Sequence, residues 1–80
     1  MKVLEAYQRA YKDITEKGYN TQAYQDFSEG PYEGTVYLVK SKATWKSKIR
    51  TIYRVRFKNS RYLLMKQDKQ DFLKFIGAVK

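Results

Sequence analysis

Arg50, Arg54, Arg56, Lys58 and Arg61 recur through one short apolar stretch of the chain, interleaved with β-branched and aromatic residues. The chemistry such a set performs is anion recognition. A guanidinium is a planar fork of donors that matches phosphate geometry, and a row of fixed cations gains free energy by releasing counterions from a polyanion. Just upstream, Lys40-Ser41-Lys42-Ala43-Thr44-Trp45-Lys46-Ser47-Lys48 places four lysines around the only tryptophan. Small polar residues separate Lys40, Lys42, Lys46 and Lys48. A basic loop with an aromatic near its tip can enter a groove or stack on an unpaired base. Each feature has a plainer alternative. The arginines fit the solvated outer face of any half-buried strand, and Trp45 fits a core or edge position, since tryptophan is usually well buried. Against the first alternative stands the lack of any acid from Lys40 to Gln67. Ordinary surfaces intersperse both signs.

The charge of the whole chain is concentrated in this region. The net charge is +9, from 17 basic and 8 acidic residues. Residues 40–66 carry ten basic side chains and no acidic one, whereas residues 1–39 carry four basic and six acidic ones. This asymmetry bears on partners, not on fold. The chain has no cysteine and no histidine. Disulfide frameworks, thiolate metal sites, and serine–histidine or cysteine–histidine nucleophiles are therefore excluded. The acids are spread along the chain, and Asp68 and Asp71 are accounted for at the start of a helix, so no convergent set for metal-dependent hydrolysis is expected. The expectation is a protein without enzymatic activity or cofactor. Of the eight tyrosines, Tyr7, Tyr11, Tyr53 and Tyr62 fall on apolar faces and are expected to pack in the core with their hydroxyls at the rim. Tyr19 and Tyr32 sit near turns.

The elements that must position these residues follow from periodicity. Val3, Leu4, Tyr7, Ala10, Tyr11 and Ile14 have helical spacing, with Gly18 as the left-handed residue that ends the helix. Thr21 caps a short second helix through Phe27, with Ala23, Tyr24 and Phe27 on one side. Ser28-Glu29-Gly30-Pro31 is a turn. Thr35–Val39 is a strand, and Ile49–Phe57 is a second, in which apolar and basic residues alternate. Lys58-Asn59-Ser60-Arg61 is a tight turn into a returning strand, Tyr62–Met65. In that register Ile49, Tyr53, Val55, Phe57, Tyr62 and Leu64 form the core face. Arg50, Ile52, Arg54, Arg56, Lys58, Arg61, Leu63 and Met65 form the other. Asp68, with Asp71 three residues on, caps a final helix whose stripe is Phe72, Leu73, Phe75, Ile76 and Val79, and which Gly77 ends.

The expected fold is therefore α+β, one small domain over residues 1–80: an N-terminal helix plus a short second helix, a three-stranded antiparallel meander, and a C-terminal helix. Both long helices are expected on one face of the sheet. The succession of a helix, three strands and a helix is similar to that of double-stranded-RNA-binding domains, and Gly30-Pro31-Tyr32 before a strand resembles their entry to the first strand. That family begins its last helix with lysine and alanine, where this chain has Gln67-Asp68-Lys69-Gln70-Asp71, so no residue roles carry over. A three-stranded sheet backed by a helix also resembles the arm-site DNA-binding domains of some integrases, which read the major groove with the sheet. No segment approaches the ~20 apolar residues of a membrane span, so a cytoplasmic protein is expected. The leading functional expectation is nucleic-acid binding, to DNA or RNA, through the basic sheet face and the basic Trp45 loop. The alternative is a small inhibitor or adaptor, of the kind phage and mobile elements encode, that docks its basic and apolar face on an acidic protein surface.

Overall fold

The computed structural model describes residues 2–77. Their order is α1 (Val3–Thr15), β1 (Thr21–Glu29), β2 (Tyr32–Ala43), β3 (Lys46–Phe57) and α2 (Lys66–Phe75). The strands form one antiparallel sheet in the order β1-β2-β3. The α+β meander expected from the sequence is present, but its strands are not all the expected ones.

The short second helix is β1. Ala23 and Phe27 are both buried, and a spacing of four residues serves one face of a helix and one face of a strand equally well. Register decides the matter: Thr21 to Glu29 pair without a break with Lys40 to Tyr32. Tyr24, which helical spacing would bring to the apolar side, points outward and is 61 % exposed. Thr21 caps no helix; its hydroxyl donates to the Gly18 carbonyl at 2.5 Å. The helix-ending role expected of Gly18 is likewise absent. α1 closes at Glu16, and the left-handed residue before β1 is Asn20, φ 61°, a residue type that tolerates that conformation.

The returning strand Tyr62–Met65 does not form. Lys58–Ser60 does turn, with the Ser60 amide donating to the Phe57 carbonyl at 2.9 Å. One ladder-like bond follows, from the Leu64 amide to the Val55 carbonyl at 2.8 Å. The run Tyr62-Leu63-Leu64-Met65 has no polar–apolar alternation to lay one side on a core, and it is used to carry the chain from the end of β3 to α2. Only Leu64 packs against the core; Tyr62 is 81 % exposed rather than buried, and Leu63 and Met65 are also exposed.

The core lies between the helices and one face of the sheet. α1 contributes Val3, Ala6, Ala10 and Ile14, the strands Ala23, Phe27, Tyr32, Val36, Leu38 and Val55, and α2 Phe72. The stripe of α1 is thus rotated from the expected one: Val3, Ala6, Ala10 and Ile14 are buried while Leu4 and Tyr11 are exposed. Within the sheet, Gly34 is required by close backbone approach. A Cβ there would fall on the Arg54 carbonyl oxygen and lie 2.8 Å from the Val55 Cα. The N-cap of α2 is Met65, which makes no side-chain cap bond, so Asp68 is a first-turn acid and not the N-cap; its charge still complements the helix dipole. Gly77, φ 77°, follows the last turn and ends the helix as expected. Val79 lies outside the described residues. Among those described, no helix is long and apolar enough to cross a membrane.

Candidate nucleic-acid interface

Both helices occupy one side of the sheet, and the other side is open. Alternation and register fix which side chains stand on it. From β1 come Gln22, Tyr24, Asp26 and Ser28; from β2 Glu33, Thr35, Tyr37, Val39, Ser41 and Ala43; from β3 Lys46, Lys48, Arg50, Ile52, Arg54 and Arg56. The β3 column is cationic at five of its six outward positions. At a rise near 3.3 Å per residue, it places a cation roughly every 6.7 Å over much of its length. The inward positions of the same strand are Ser47, Ile49, Thr51, Tyr53, Val55 and Phe57, which from Ile49 onward is the face expected for it. Phe57 is only partly covered, its ring stacked on Tyr32 at 5.6 Å.

The expected basic loop is not a loop. β2 runs to Ala43 and β3 starts at Lys46, so Ser41–Ala43 and Lys46–Lys48 pair as a hairpin closed by the two-residue turn Thr44-Trp45. β1 reaches only to the partner of Lys40, so this hairpin projects past the edge of the three-stranded part. Small residues at 41, 43 and 47 read as loop composition, but cross-strand pairing overrides that weak preference. Thr44 holds φ 56°, which is costly for a β-branched residue. Trp45, at the tip, is 79 % exposed, with the Lys46 ammonium 4.9 Å from its ring centroid. The alternative of a Trp45 folded onto the sheet is therefore ruled out.

The structure divides the sequence-derived basic residues into three groups. Lys46, Lys48, Arg50, Arg54 and Arg56 share the open face, with Trp45 at its end. Lys40 and Lys42 stand on the helix side. Lys40 donates to the carbonyl of Lys17, just past α1, at 2.6 Å and to the Thr15 carbonyl, which the end of α1 leaves free, at 3.4 Å. Both lysines also lie within 6 Å of the Tyr19 ring centroid, at 5.8 and 5.7 Å. Lys58 and Arg61 belong to the segment after β3 and so leave the expected row.

Two acids share the open face, both toward its Gly30 end. Glu33 pairs with Arg56 at 3.0 Å, and Asp26 accepts a hydrogen bond from the Thr35 hydroxyl at 2.7 Å. Among the described residues Lys46, Lys48, Arg50 and Arg54 have no ion pair. The potential of the face therefore rises from the Gly30 end toward the hairpin tip. Sequence reasoning missed the two aromatic residues beside the cations. Tyr24 and Tyr37 are cross-strand partners with ring centroids 5.7 Å apart, and the Arg54 guanidinium lies 4.8 Å from the Tyr37 centroid. Recognising Thr21–Glu29 as a strand would have placed Tyr24 outward and found them. Among the described residues no cluster of three or more acidic, histidine or cysteine side chains forms a metal site. In comparisons with known proteins, the chain matches no family model, no curated protein and no solved structure.

Proposed function

We propose that this chain is a non-enzymatic nucleic-acid-binding domain whose contact surface is the open face of the sheet and the hairpin that extends it. The observation that carries the reading is the β3 column, cationic at five of six outward positions on a face that neither helix covers. Phosphates are the natural complement: such a column tracks a backbone, and its cations release condensed counterions on binding. Trp45 adds a large apolar ring at the most cationic end, where it can stack or wedge. The cytoplasm, to which a chain without cysteine is suited, is the proposed setting.

A second reading has its own support. Tyr62, Leu63 and Met65 are exposed close together in the sequence, and Leu63 lines a shallow depression with Arg54 and Arg56. A mixed apolar and basic patch also suits an acidic protein surface, as for an inhibitor or adaptor. Gel shifts of DNA and RNA at low and physiological salt, beside a pull-down from nuclease-treated extract, separate the two. The first reading expects a shift that weakens as salt rises. It also expects Trp45→Ala to cost about 1–3 kcal/mol of affinity while the melting temperature is unchanged. No shift at low salt, together with a partner retained after nuclease treatment, would transfer the assignment to the second reading.

A further inference from the structure

Tyr24 and Tyr37 lie on the open face between β3 and the sheet edge, and the core does not require them there. Their row across the sheet ends in Ile52, between Arg50 on one side and Arg54 on the other. Strands are spaced about 4.8 Å apart, so the two rings lie one and two strand spacings from the cationic column. Trp45 stands apart from this pair, exposed at the hairpin tip. The face thus carries a line of cations with aromatic rings beside it. A duplex has its bases stacked on one another and offers phosphates to such a line but no base face to the rings. A single strand offers both: phosphates to the cations and unpaired bases to the rings.

We infer that the open face is a site for single-stranded polynucleotide, with the backbone along Lys48, Arg50 and Arg54 and bases stacked on Tyr37 and Tyr24. This rests on the nucleic-acid reading above and specifies its ligand. Arg54 has two parts in the arrangement, a cation for phosphate and a plane that holds the Tyr37 ring in place. A cross-strand tyrosine pair also stabilises a sheet, so the test must separate stacking on a base from packing in the protein.

The probes are labelled oligothymidylate and oligouridylate of about 16 nucleotides, long enough for one small domain, and a blunt DNA duplex of the same length. Their affinities are measured by fluorescence anisotropy for the wild type, Tyr24→Val, Tyr37→Val and the corresponding phenylalanine variants, with a thermal melt of each. Valine keeps strand preference and removes the ring; phenylalanine keeps the ring. The expected result is tighter binding of a single strand than of the duplex. Each valine variant should lose roughly 10- to 100-fold on the single strand only, and each phenylalanine variant should retain wild-type affinity. The oligothymidylate and oligouridylate arms report whether DNA or RNA is preferred. Equal, salt-sensitive binding of duplex and single strand, unaffected by the valine variants, would overturn this inference and leave the nucleic-acid reading standing. Should a valine variant melt far below wild type, the phenylalanine variant and the duplex-to-single-strand ratio of the wild type decide alone. Failure of every probe to bind at low salt would overturn both.

Discussion

Lys40 sends its ammonium to the carbonyls that end α1, whereas Lys46 and Lys48, from the same basic run, stand on the open face. Residue type is common to all three; strand parity separates them. The same parity turns Tyr53 inward, where its ring meets Phe72 at 5.8 Å. Burial, and secondarily the neighbouring Tyr7, raises the Tyr53 hydroxyl above the ordinary 10.0. A folded-state value above the unfolded one means that the folded chain holds this proton longer. Its stabilising contribution is therefore complete below about pH 10 and is lost as pH rises through the folded value. Urea unfolding of wild type and Tyr53→Phe between about pH 8 and pH 11 should show the wild type losing stability more steeply above pH 10. Parallel curves would show that the hydroxyl ionises equally well in both states.

At the scale of the elements, α2 is the weakest attachment. Phe72 is its one fully buried side chain, packed against Phe27, Tyr32 and Tyr53 at 5.8, 5.1 and 5.8 Å. α1 by contrast buries four residues. A ten-residue helix has little stability of its own, so its amides should exchange with deuterium faster than those of α1 and β2, and Phe72→Ala should cost about 3–5 kcal/mol. Protection of α2 equal to that of α1 would contradict this account. The elements also show what the sequence makes legible. β3 was readable because Ile49–Phe57 alternates apolar and charged residues on an exposed-backed strand. α1 was readable from its helical stripe, although which side of that stripe is buried, Ala6 in and Leu4 out, depends on the sheet beneath it. β1 is ambiguous in the sequence because Ala23 and Phe27 fit two periods and only the partner strand chooses between them. The hairpin of Ser41–Lys48 is hidden for a different reason: its residues have little strand preference and are held by their pairing. Of the candidate interface, the cations and Trp45 were visible in composition, but the separation of Lys40 and Lys42 from the rest, and the presence of Tyr24 and Tyr37, required the register.

For the molecule as a whole, the division of labour is between two sides of one sheet. The described residues extend 40 × 23 × 22 Å. The helix side supplies the hydrophobic core, while the open side carries five of the ten basic side chains of residues 40–66, all from β3. If the open face is the contact surface, the position of the charges governs binding and the net charge of +9 does not. The most direct measurement is the slope of log affinity against log salt for an oligonucleotide. The four outward cations without an ion pair set an expected wild-type slope of roughly −3 to −4. A combined Lys48→Gln, Arg50→Gln, Arg54→Gln variant should flatten it to about −1. A control of equal charge, Lys2→Gln, Lys12→Gln, Lys74→Gln, changes only exposed helix-side lysines and should keep the wild-type slope. Equal flattening by both variants, or a face variant that binds with the wild-type slope, would contradict the assignment of the open sheet face as the nucleic-acid interface.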